Sequence, residues 1–156
     1  MLRNMRSGNR EAGTALVEFA ISLLAFLALL FGISDVGRAA YAYDWVSNAA
    51  RLGTRFAMVR GKTCTVLSGG CPAAASDVSN YVTNANGNGV DTTGIDPSQL
   101  TVTTVCFAQG AVTHTSPPCA AQGYVQVTVQ YTFKFVSSAS PLTWSMQSSS
   151  EQLVQN

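Results

Sequence analysis

The residue type with most chemical consequence in this chain is the carboxylate of Glu18. It is the single charge in the run Thr14 to Ile33, TALVEFAISLLAFLALLFGI, and it stands five residues after Gly13, which closes a polar, basic leader. A carboxylate near the end of an apolar helix is costly to desolvate and is usually paired or functional. Cleavage after Gly13 would create a new ammonium group at Thr14, with Glu18 about one helical turn away. Such a pair, formed within one chain or between neighbours in lipid, would set the axial register of helices packed side by side. The competing reading is a glutamate that snorkels to the cytoplasmic interface, beside a glycine that is merely a loop residue.

Four cysteines, Cys64, Cys71, Cys106 and Cys119, all follow the apolar run. An even number in an exported region suggests two disulfides. Four cysteines allow three connectivities, and the local pairs Cys64–Cys71 and Cys106–Cys119 are favoured because short loops close easily. The alternative, a zinc site, is weak: neither spacing is Cys-x-x-Cys, and His114 is the only histidine. His114 lies in a Ser/Thr/Pro-rich loop, where a solvated side chain is expected. No G-x-S-x-G elbow, glycine-rich phosphate loop or paired carboxylates suggest catalysis. The expectation is therefore a protein that is not an enzyme and has no cofactor, metal or small-molecule substrate.

These residues need elements to position them. The Thr14–Ile33 run has the roughly 20 apolar residues that match a bilayer's hydrocarbon thickness. Arg3, Arg6 and Arg10 precede it, which puts that end in the cytoplasm by the positive-inside rule and everything after Ile33 outside. An ordinary secretory signal has a shorter apolar region and a small-residue cleavage site. Here no Ala-x-Ala motif with a turn follows. Charged residues make up only 11% of the 156-residue chain, below the roughly 25% of soluble proteins. Beyond Lys62 the only base is Lys134, against Asp77, Asp91, Asp96 and Glu151, so no basic surface for nucleic acid is available.

The chain continues as an amphipathic helix. Tyr41, Trp45, Ala49, Leu52, Phe56 and Val59 share one arc, with Asp44, Ser47, Arg51 and Arg55 opposite. Tyr41 and Trp45 are assigned to a domain core on this pattern, in preference to a membrane-interface belt. No proline interrupts residues 14 to 60, and Gly61 marks the end. Asp35 and Arg38, three apart, are placed to pair, although simple solvation at the interface explains them equally well. Pro72 to Ala85 reads as a short helix with Val78, Tyr81, Val82 and Ala85 on one side, and 86 to 97 as loop. Strands are predicted at Leu100 to Phe107, at Tyr124 to Phe135, where Val125, Val127, Val129, Tyr131, Phe133 and Phe135 face one way, and from Leu142 through Trp144 and Met146 toward Val154. The fold expected is α+β and pilin-like. A leader (1–13) is followed by a long helix (14–60, with 14–33 transmembrane) whose aromatic stripe covers a small antiparallel sheet in an exported, disulfide-linked domain (61–156).

The junction and the helix together resemble the TadE-like family of the tight-adherence pilus machinery, whose members are pseudopilins. The matching residues are ALVEFA at Ala15 to Ala20, the run to FGI at Phe31 to Ile33, Gly37-Arg38, and NAARLGTRFA at Asn48 to Ala57. Asp35 stands where such proteins often carry Glu, and Thr54 where Ala is common. The resemblance implies a membrane-embedded prepilin peptidase that cuts between Gly13 and Thr14. It also implies that Glu18, followed by Phe19, is the carboxylate of the assembly motif. It further implies a single-pass subunit of a bacterial inner membrane, with a periplasmic or extracellular domain, working with other pilin or pseudopilin subunits and assembly proteins on adhesive Flp-type pili. The alternative is a signal-anchored envelope protein whose exported domain is a binding or adhesion module and whose helix is only a tether.

Overall fold

A computed structural model describes residues 8–65, 71–108, 114–136 and 142–155. The leader residues Arg3 and Arg6, and parts of the two cysteine loops, lie outside the described residues. Helix α1 runs from Gly8 to Met58, about 76 Å at 1.5 Å per residue. It therefore begins inside the predicted leader and ends two residues before the predicted Arg60, where a turn closed by the Arg60 N–H on the Ala57 carbonyl takes over. Helix α2, Ala75–Val82, is shorter than predicted. The Asp77 carboxylate accepts the N–H of Ala74 at its start, and Ala85, expected on its apolar side, lies exposed beyond its end. Strands β1 (Leu100–Phe107), β2 (Tyr124–Lys134) and β3 (Thr143–Leu153) form an antiparallel sheet in the order β1-β2-β3. The result is the α+β arrangement of a long N-terminal helix on a small sheet.

Alternation along β2 places Val125, Val127, Val129, Tyr131 and Phe133 on the buried face. Burying each valine stabilises the fold by about 1.5–3 kcal/mol. The expected helix does cover this face, but of the expected arc only Ala49 lies at the centre of the contact. The buried arc of α1 is Ala39, Ala42, Val46, Ala49, Ala50, Gly53 and Ala57. The aromatic arc of Tyr41, Trp45, Leu52 and Phe56 lies roughly 90° round the helix.

Small residues win the central position because they let the helix backbone come close. A Cβ on Gly53 would stand 2.8 Å from Val82 Cγ2 and 3.2 Å from Val127 Cγ1. The inward side of β3 is correspondingly small, with Ser148 and Ser150 half-buried between Met146 and Val154. The large side chains fill the flank instead. Phe56 stacks on Tyr81 of α2 with centroids 4.4 Å apart. Trp45 is buried and donates its indole N–H to the Asp91 carbonyl at 2.6 Å. Tyr41, expected in the core, is half exposed and donates its hydroxyl to the Thr93 carbonyl.

Strand β2 runs opposite to α1 and nearly along it. Val127 lies at Gly53 and Phe133 at Arg38. These are separations of about 20 Å along the strand and about 22 Å along the helix. The domain thus has two ends. The proximal end, at Asp35 and Val136, is where α1 leaves the domain. The distal end holds the helix C-terminus and both disulfides.

Candidate functional site: the anchor junction and the ends of the domain

From Gly13 to Ser34 every residue of α1 is exposed or nearly so, and the first fully buried residue is Asp35. The bare segment of 22 residues is about 33 Å long, which matches a hydrocarbon core of about 30 Å. It is long and apolar enough to cross a membrane, and none of its most apolar stretch is buried in the protein. Among the described residues nothing shields Leu16, Phe19, Phe26 or Phe31.

At the head of this segment α1 passes through Gly13 and Thr14 without a break. A Cβ on Gly13 would meet nothing within 4 Å, so among the described residues no other element packs against that position. Glu18 and Phe19 are both exposed. Glu18 is four residues beyond Thr14, a rise of about 6 Å, so the two lie on successive turns of one helix face.

The proximal end is organised by Asp35, which is 4% exposed. Its carboxylate accepts from Arg38 Nη1 at 3.1 Å and from the backbone N–H of Val136 at 3.4 Å. The Arg38 guanidinium also stands 5.3 Å from the centroid of the Phe133 ring. The pair expected from the spacing forms, and the alternative of simple solvation does not hold for the buried Asp35. Asp35 is a buried anchor that ties the end of β2 to the helix, and its Val136 partner is 101 residues away in sequence.

Thr54 has a similar long-range role. It is fully buried, and its hydroxyl shares its proton between the Ala50 carbonyl at 2.7 Å and the Ser150 carbonyl of β3 at 3.1 Å. Neither Val136 nor Ser150 carries a sequence signal for these contacts, because backbone groups supply them. The small-residue spacing on α1 was visible in the sequence and marks the true sheet-facing side.

At the distal end Cys64 is bonded to Cys71 and Cys106 to Cys119, with Cα separations of 5.6 and 5.3 Å. The Lys62 N–H donates to the Cys119 carbonyl at 2.8 Å and joins the two crosslinked loops. Cys106 and Thr115 exchange backbone hydrogen bonds of 2.8 and 2.7 Å. His114 is exposed and tilted against Phe107, with centroids 5.6 Å apart. Among the described residues no cluster of His, Cys, Asp or Glu could hold a metal ion.

A shallow groove between α1 and the loop after α2 is lined by Tyr41, Asp44, Trp45, Asn48, Val90 and Asp91 among others. Its Asp91 carboxylate accepts the side-chain hydroxyl and the backbone N–H of Thr93, which hold its pKa below the ordinary value. Asp96 is lowered in the same way by the hydroxyl and N–H of Ser98. Both acids are turn-forming groups held in the charged state.

Residues 13–55 match the family model described as TadE-like protein. The N-terminal segment is similar to that family. The matched stretch opens at Gly13, takes in the whole bare segment and Asp35, and ends two residues past Gly53. The TadE-like segment thus comprises the apolar rod and most of the small-residue face that seats it on the sheet. Neither the curated proteins nor the solved structures contain a match to this chain.

Proposed function

We propose that this chain is a pseudopilin-type subunit that takes part in assembling tight-adherence, Flp-type pili. The observation that carries this reading is an apolar helical segment, matched by the TadE-like family, that projects unshielded from a separate folded domain. In this reading a prepilin peptidase cuts between Gly13 and Thr14. The new ammonium group of Thr14 and the Glu18 carboxylate then form the polar contact that registers one helix against its neighbours. The rod holds the subunit in the inner membrane with its N-terminus cytoplasmic, and the disulfide-linked domain stands outside. Its partners are the peptidase, other pilin-like subunits and the assembly machinery, and its role is structural rather than catalytic.

The support is physical. A carboxylate in an otherwise apolar helix is tolerated where a partner cation meets it, and cleavage after Gly13 supplies one. Determination of the N-terminus by mass spectrometry, in cells that contain the peptidase, is expected to find a mature chain starting at Thr14. An intact leader in those cells would instead favour a tethered binding module.

A further inference from the structure

The membrane-proximal end of the domain carries apolar side chains that are exposed among the described residues. Val136 is 72% exposed, Leu142 59% and Trp144 55%, and Val36 on the adjoining turn of α1 is 67% exposed. Their placement follows from hydrogen bonds and register. The Val136 N–H donates to Asp35, and the Phe135 N–H donates to the Leu142 carbonyl. Trp144 is opposite Phe133, whose ring lies beneath Arg38. Val136 and Leu142 therefore stand level with Asp35. Trp144 is about one helical turn farther out, since Asp35 and Arg38 are separated by about 4.5 Å along the axis.

Burial along the inward side of β3 falls sharply toward this end: Met146 is 3% exposed, and Trp144, two residues away, is 55%. Trp144 shares its face with Met146 but sits on an edge strand, beyond the cover of α1.

We infer that Val136, Leu142 and Trp144 form a ledge that seats the domain on the lipid headgroup and upper acyl region of the bilayer crossed by α1. The inference rests on the membrane-anchor reading of α1. It adds that the domain lies against the surface instead of standing clear of it. The level is set by the helix itself. If residues 13–34 fill the hydrocarbon core, Asp35 begins the interfacial layer, and the ledge is fastened to Asp35. Tryptophan suits this layer, with its ring among the upper acyl chains and its indole N–H in the hydrated zone. The Asp35–Val136 hydrogen bond and the Arg38–Phe133 contact then hold the domain at a fixed angle to the rod.

The test uses the full chain in phosphatidylcholine vesicles, with Trp144 as reporter in a Trp45→Phe background. The same signal is obtained independently as the difference between wild type and Trp144→Phe, because Trp45 is buried. Flotation of the vesicles tests the anchor. Bromine atoms placed near the carbonyl end of the acyl chains are expected to quench Trp144 by about twofold or more, and more strongly than bromines near the methyl end, as for an interfacial ring. Co-flotation with a Trp144 that brominated lipid leaves bright and aqueous iodide quenches would overturn the ledge while sparing the anchor. Protection from both quenchers that disappears on dilution with lipid would also overturn it, and would assign the surface to a second copy of the chain. Failure to float would remove the anchor and the ledge together.

Discussion

Gly53 shows how a single residue sets the distance between layers. Glycine inside a helix costs about 1 kcal/mol relative to alanine. Here the missing side chain leaves room for Val82 and Val127, which would stand 2.8 and 3.2 Å from a Cβ. Gly53→Leu is expected to destabilise the fold by about 1–3 kcal/mol, the usual range for overpacking, read as a lower melting temperature of the full chain in detergent. Glu18 belongs to the same scale but to a different environment. Its partner is expected to be the amine that cleavage creates, so Glu18→Ala should leave the peptidase product unchanged in mass apart from the substitution, yet reduce piliation. Normal piliation in that mutant would take Glu18 out of the assembly mechanism. Asp35 differs again. It is an internal anchor with Arg38 and the Val136 N–H as partners, so its burial is compensated within the domain.

Among the elements, α1 has two jobs divided at Asp35. Its first part exposes apolar side chains all round, and its second buries a narrow small-residue face. The same helix can do both because side-chain size, not helical geometry, changes at the division. The distal end has the opposite character, with two crosslinks closing loops of sequence separation 7 and 13. Chain-entropy arguments assign about 3 kcal/mol to the longer loop. The double variant Cys106→Ser, Cys119→Ser is therefore expected to lower the unfolding free energy of the full chain by about that amount in denaturant titration. An unchanged midpoint would mean that the Cys106–Thr115 hydrogen bonds and the Lys62–Cys119 contact hold this end without the crosslink.

For the whole molecule, the bare rod, the anchored proximal end and the crosslinked distal end lie in sequence along one axis. Because β2 runs alongside α1 in the opposite sense, the proximal end sits beside the point where the helix leaves the domain. The disulfides lie at the far end of the domain, beyond Gly53. The Asp35 contacts tie the helix to the sheet at the proximal end, where one hydrogen bond, from the Val136 N–H to Asp35, and the Arg38 cation over the Phe133 ring link the rod to the end of β2. Trp144, the reporter for the ledge, lies beside that joint. A fixed angle between domain and membrane is what a subunit needs if neighbouring rods are to pack in register.

The amino-acid sequence by itself determined the long helix, its apolar first half, the three strands and the inward face of β2, because these follow from local periodicity: 3.6 for a helix and 2 for a strand. The cysteine-loop lengths and the glycine–glutamate junction were legible for the same reason, since both are spacings along the chain. Tertiary structure decided which face of α1 meets the sheet. Periodicity identifies an apolar arc but does not tell a central contact from a flank, and steric approach at Gly53, Ala49 and Ala50 gave the centre to the small residues. Tertiary structure also decided the fate of Asp35 and Thr54, each of which has, besides a local partner, a backbone partner 101 or 96 residues away. Such partners carry no side-chain signature, so only the folded chain brings them into view.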